Sequence, residues 1–162
     1  MRIAVLITAA AVAVIPAASS LAVDAGKVSV ARGAQVAITG GCHDCHTAGY
    51  NESGGKVDPA TALKGIALGW QGPWGTTYAK NLRLTVQPMT EDQFVAFAKA
   101  FTAMPPMPYY NVNALDESDV RSLYQYIKAL GAPGAQVPDA LPPGVKPKTP
   151  YTVAAPPTLP TP

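Results

Sequence analysis

Two cysteines with two residues between them are followed at once by a histidine, in the run Cys42-His43-Asp44-Cys45-His46. The chain has two cysteines and two histidines in all, and this run contains every one of them. Thiols at this spacing reach the two vinyl groups on one edge of a porphyrin and form thioether bonds. A histidine placed directly after them can turn a ring nitrogen toward the iron. The run therefore reads as a haem c attachment sequence, with one covalent haem c joined through Cys42 and Cys45 and with His46 on the metal. Three other chemistries use the same residue types. A thioredoxin-like dithiol needs a βαβ setting, and no strand pattern supplies one. Zinc needs four ligands, which here means a cramped set of Cys42, His43, Cys45 and His46. A plain disulfide leaves His46 without a task.

A second axial ligand is sought by elimination. His43 lies inside the attachment loop and cannot swing to the opposite face of the porphyrin. Methionine is the usual partner, and it raises the reduction potential. Met89 directly precedes a helix cap and reads as packing. Met104 and Met107 lie in the irregular stretch Ala103-Met104-Pro105-Pro106-Met107-Pro108. Either could present its sulfur while the other fills a gap in the core.

These residues must be positioned by a small number of elements. Residues 28–39 are predominantly apolar and predict a first helix, ended by Gly40-Gly41. Thr90 and Gln93 form a capping box for a second helix over 90–103, with Phe94, Phe97 and Phe101 at helical spacing and Pro105 as its stop. A third helix spans 116–130. Asp116 is its N-cap, Val120, Leu123, Tyr124 and Ile127 form its apolar face, and Gly131 is its C-terminal cap. Residues 47–88 are glycine-rich and predict mostly loop, with a short helical turn near 59–64. So long a loop fits a chain wrapped around something other than protein. From residue 132 onward there are ten prolines in 31 residues, which predicts extended or disordered chain with neither helix nor sheet.

The organisation expected is a signal peptide over 1–22, a folded domain over 23–131 and a proline-rich tail over 132–162. Met1-Arg2, the apolar stretch 3–18 and Ser20-Leu21-Ala22 fit an export signal cut after Ala22; an uncleaved N-terminal anchor is the alternative. Export implies a periplasmic location. The net charge is +2 and charged residues make up 14% of the chain. No basic run with interleaved aromatics occurs, so nucleic-acid binding has no support. The fold class expected is all-α, with about three main helices around one covalent haem.

From about residue 28 to 130 the chain resembles a class I cytochrome c. The attachment motif follows the first helix and a Met-Pro pair precedes the last. In that family the sulfur ligand is often followed by proline and an aromatic, and Met107-Pro108-Tyr109 matches this better than Met104-Pro105-Pro106. The resemblance thus implies Met107 as the iron's second axial ligand. It also implies a contact between Gly33 and Tyr126 where the first and last helices cross. A carbonyl after the motif should steer the histidine, with Pro59 the expected source, and Trp74, Tyr78, Asn81 and Arg83 should line the haem or bind its propionates. For Trp70 and Trp74 a plain core role is equally in keeping. The segments 72–82 and 141–144 are similar to cytochromes associated with periplasmic dehydrogenases.

What the resemblance implies is a single-electron carrier, not an enzyme. It would take electrons from a dehydrogenase and pass them to an oxidase or another cytochrome. Two alternatives are a haem enzyme or gas sensor with an open sixth site, and a cytochrome subunit of a permanent dehydrogenase complex. In the latter, the proline-rich tail would be a docking strap.

Overall fold

Ser29 opens the first helix, α1 (Val30–Thr39). Its backbone is extended, its hydroxyl accepts from the Arg32 N–H at 3.1 Å, and its own N–H donates to Ser122 Oγ at 3.2 Å. The cap therefore starts one helix and ties it to another. This is a computed structural model, and it describes residues 26–154. The expected signal segment 1–22 and the final residues of the tail lie outside the described residues.

Among the described residues five further helices follow: α2 (Cys42–His46), α3 (Leu82–Val86), α4 (Glu91–Ala100), α5 (Tyr109–Asn113) and α6 (Glu117–Ala129). Three strands, β1 (Gly69–Gly72), β2 (Gly75–Tyr78) and β3 (Tyr151–Val153), make a small open sheet in the order β2-β1-β3. The fold is mainly helical, as expected, and the three long helices are the three read from the sequence. Among the described residues no helix is long and apolar enough to cross a membrane.

The long helices cap largely as their sequences dictate. On α4, Thr90 Oγ1 accepts from the Gln93 N–H at 3.2 Å and Gln93 Oε1 accepts from the Thr90 N–H at 2.8 Å, completing the capping box. This helix ends three residues short of the expectation. Phe101 is extended, and Asn113 Nδ2 takes up the free carbonyls of Ala98 and Phe101 at 2.7 and 3.4 Å. On α6, Asp116 holds the N-cap position without a side-chain bond, and Gly131 follows with φ +81°, the left-handed conformation that closes a helix C-terminus.

Residues 47–88 are more ordered than their glycine content predicts. The expected turn near 59–64 is present, with the Ala62 N–H bonded to the Asp58 carbonyl at 2.8 Å. Beyond it, β1 and β2 form an antiparallel hairpin and Asn81 caps α3. The hairpin was hidden because glycines punctuate it. Gly75 turns the chain at φ +102°, and a Cβ at Gly72 would fall 2.6 Å from ring carbons of Trp74.

The proline-rich stretch departs further from its expectation. The Leu141 N–H and carbonyl pair with Thr76, and Tyr151–Val153 run parallel to β1 as the third strand. Proline excludes central strands, yet Tyr151, Thr152 and Val153 are all β-prone, and they sit at a sheet edge, where the preceding Pro150 is tolerated.

The core lies where α1 crosses α6. Ala37, Val86, Phe94, Leu123 and Ile127 are among its buried residues. Gly33 sits against Ser122 and Tyr126, so close that a Cβ would overlap the Ser122 carbonyl and come within 2.7 Å of Tyr126 Cβ. Beside the crossing, the Arg32 guanidinium donates to both oxygens of Asp119 at 2.7 and 2.8 Å.

Gly33→Ala should reverse the usual helix preference for alanine. Its Cβ meets backbone that cannot yield, so stability should fall by about 2–3 kcal/mol, read from thermal or denaturant unfolding. The hydrogen bond from Arg32 holds the Asp119 carboxyl below its ordinary range. A carboxylate depressed in this way stabilises the fold above its unfolded pKa, and that contribution is lost as pH falls through the folded value. Asp119→Asn should lower the melting temperature at neutral pH and flatten its dependence on pH in the acid range.

Candidate haem centre

Gly40 closes α1 and Gly41, at φ +69°, turns the chain directly into α2. The attachment sequence is therefore a short helix and not the loop expected. This explains its spacing. Residues i, i+3 and i+4 share a helix face, so Cys42, Cys45 and His46 point the same way. All three lie on the wall of one cavity of about 460 Å³. His43, on the other face, is fully buried, with Nδ1 2.8 Å from Thr47 Oγ1 and Nε2 3.3 Å from the Tyr126 hydroxyl.

His46 is 7% exposed, and its Nδ1 lies 2.7 Å from the carbonyl of Lys80. A carbonyl only accepts, so Nδ1 carries the proton and Nε2 carries the lone pair. Burial also pushes the imidazole below its ordinary pKa, which keeps it neutral. A neutral ring with one nitrogen fixed by a carbonyl and the other free is the form that binds metal. The steering carbonyl is thus that of Lys80 and not that of Pro59. Pro59 O instead accepts from Arg83 at 2.6 Å. The two thiols are unpaired with each other, and burial pushes Cys42 up to about 11 and raises Cys45 as well. Among the described residues no group of three or more metal-binding side chains is assembled.

Met104 and Met107 both line the cavity, Met104 half exposed at 49% and Met107 better covered. Met89 does not; it packs against the core, and its carbonyl accepts from the Tyr124 hydroxyl at 2.9 Å. The expected haem-lining set divides. Of Trp74, Tyr78, Asn81 and Arg83, only Tyr78 is on the wall; Trp70, outside that set, is there too. Trp74 packs on Gly72 in the hairpin turn. Arg83, 5% exposed, spends its guanidinium on the carbonyls of Pro59, Ala62, Leu130 and Ala132. Four of the five N–H donors of this buried arginine go to carbonyls, which makes it a structural tie between the turn and the end of α6, away from the cavity wall. Sequence reasoning missed Lys80, whose contribution is a backbone oxygen and so leaves no side-chain signal. It also missed Ala140, a tail residue on the cavity wall.

The wall suits a porphyrin. It is built largely from apolar and aromatic side chains, including Leu82, Phe94, Phe97 and Ile127, and Lys80 is its one Lys, Arg, Asp or Glu among the described residues. Its volume is within the range of cofactor pockets. A small helical domain, an apolar cavity, and two thiols beside a buried histidine on its wall define a haem c-binding electron-transfer domain. The cytochrome c family profile matches residues 30–131, and the chain belongs to that family. It is also similar to one subunit of the nicotinate dehydrogenase of Pseudomonas putida, at 32% identity over 108 residues, 59% of this chain. The match spans 8% of that relative's length. No solved structure gives a significant match.

Replacing both Cys42 and Cys45 by alanine should abolish haem staining of the denatured protein on a gel, because no thioether would survive unfolding. Retained staining would mean attachment elsewhere.

Proposed function

We propose that this chain is a periplasmic one-electron carrier whose haem iron is held by His46 and Met107. The observation that carries this reading is the cavity wall itself. It brings Cys42, Cys45, the free Nε2 of His46 and the Met107 side chain to one apolar space. A bound haem c supplies a one-electron ferric/ferrous couple there. His46 presents its lone pair in a fixed orientation because Lys80 O holds the other nitrogen. Met107 offers a neutral thioether, which favours the ferrous state and a high potential. Held by both His46 and Met107, the iron would have no coordination site left for substrate, in keeping with a family of carriers. The aromatic rings of Phe94 and Phe97 exclude water, and that lowers the solvent rearrangement accompanying each electron.

The donor is a dehydrogenase and the acceptor an oxidase or a second cytochrome, met in brief contacts of small area. The likeness to a dehydrogenase subunit supports the donor class. That same likeness favours one further reading, a cytochrome subunit in a standing dehydrogenase complex. The periplasmic location rests on the apolar N-terminal stretch with its small-residue cleavage pattern, and proteins of this family are typically periplasmic or secreted.

Ferric spectra of the haem-loaded chain test the ligation. Wild type and Met104→Ala should show the weak far-red band of sulfur-ligated iron. Met107→Ala should lose it, with a lower reduction potential and readier carbon monoxide binding. A band lost from Met104→Ala and kept in Met107→Ala would transfer the ligand to Met104. A wild type that lacks the band and binds carbon monoxide would sink the carrier reading.

A further inference from the structure

His46 is held by the backbone of residue 80, and residue 80 is held in turn by chain from the far end of the fold. The carbonyl that accepts from His46 Nδ1 belongs to the peptide unit joining Lys80 to Asn81. Asn81 is 3% exposed. Its Oδ1 accepts from the Leu84 N–H at 3.2 Å, while its Nδ2 donates to the carbonyls of Pro133 and Ala135 at 2.7 and 3.0 Å. Both carboxamide protons are therefore spent on the proline-rich stretch.

Gly65 closes the arrangement from below. Its N–H donates to the His46 carbonyl at 2.8 Å, so the histidine is gripped at its backbone as well as its ring. A Cβ on Gly65 would fall 2.5 Å from the Ala79 carbonyl, 2.9 Å from Asn81 N and 2.8 Å from Val137 Cγ1. Around this one glycine the histidine, the 79–81 backbone and the tail meet without slack.

We propose that Asn81 is the positioning residue for His46, fixing the His46–Lys80 hydrogen bond by anchoring the 80–81 peptide to the tail, so that the seating of residues 133–137 sets the reduction potential. This rests on His46 as an iron ligand. A ring N–H given to a carbonyl raises the basicity of the other nitrogen. A more basic imidazole favours ferric over ferrous iron. Loosening the tail lengthens the hydrogen bond, lowers that basicity and raises the potential. A partner that grips the tail would thereby change the driving force of its own electron transfer.

Asn81→Ser tests this in the full-length, haem-loaded protein without adding charge. Serine keeps an oxygen for the Leu84 N–H and loses the donors to Pro133 and Ala135. The potential should rise by an amount equivalent to about three- to tenfold in the ferric/ferrous equilibrium, where tenfold is about 59 mV for one electron. The ferric NMR signal of the His46 Nδ1 proton should exchange faster with solvent. Val137→Ala, a milder loosening that leaves Asn81 intact, should shift both readouts the same way by less, and it decides the matter if Asn81→Ser does not mature. Val120→Ala, in the core away from the cavity, should lower the melting temperature and leave the potential unmoved. Unchanged potentials in Asn81→Ser and Val137→Ala, or an equal shift in Val120→Ala, would overturn the coupling while leaving the ligation intact. A wild type without paramagnetically shifted histidine ring signals would overturn the ligation and the coupling together.

Discussion

The contact of α1 with α6 at Gly33 sets the distance on which everything else is built. A missing side chain lets one helix backbone rest on the Ser122 carbonyl of the other. With the two helices this close, Val120, Leu123 and Ile127 of α6 meet Ala37 of α1 in one core. The end of α1 then delivers Gly40 and Gly41, and through them the attachment helix, to the edge of the cavity. The Arg32–Asp119 pair and the Ser29–Ser122 bond lie on the same interface and fix its register. A few tenths of an ångström lost at Gly33 would move α2 and everything mounted on it.

The cavity imposes the opposite demand. A domain of about a hundred residues buries little apolar surface, and here part of the interior is left for a cofactor. Hydrogen bonds to backbone carbonyls compensate. Arg83 alone gathers four of them from the turn at Pro59 to the end of α6. Such ties hold irregular chain in place where there is no packed core to do so, and they free the cavity wall to be apolar.

The parts legible in the sequence are those where a side chain states its own role. The thiol spacing, the capping box at Thr90, the aromatic face of α4 and the periodicity of α6 are of this kind. What escaped was carried by backbone or by distance along the chain. The Lys80 carbonyl has no side-chain signature. The hairpin was masked by glycines that read as loop. Arg83 and Asn81 look like polar partners for a cofactor until their carbonyl acceptors are seen, and those acceptors are 21 to 54 positions away in sequence. The tail misled because proline content predicts what a segment cannot do alone and says nothing of an existing edge, β1, that a few β-prone residues can join.

That edge also ties two distant stretches of chain to one site. The thiols at Cys42 and Cys45 come early in the described residues, whereas Ala140 on the cavity wall and the strand that completes the sheet come late. The hairpin of β1 and β2 stands between them: Tyr78 of β2 is on the cavity wall, Thr76 of the same strand pairs with Leu141, and Tyr151–Val153 lie along β1. A change in how the proline-rich stretch lies on this hairpin is thus a change at the rim of the haem site.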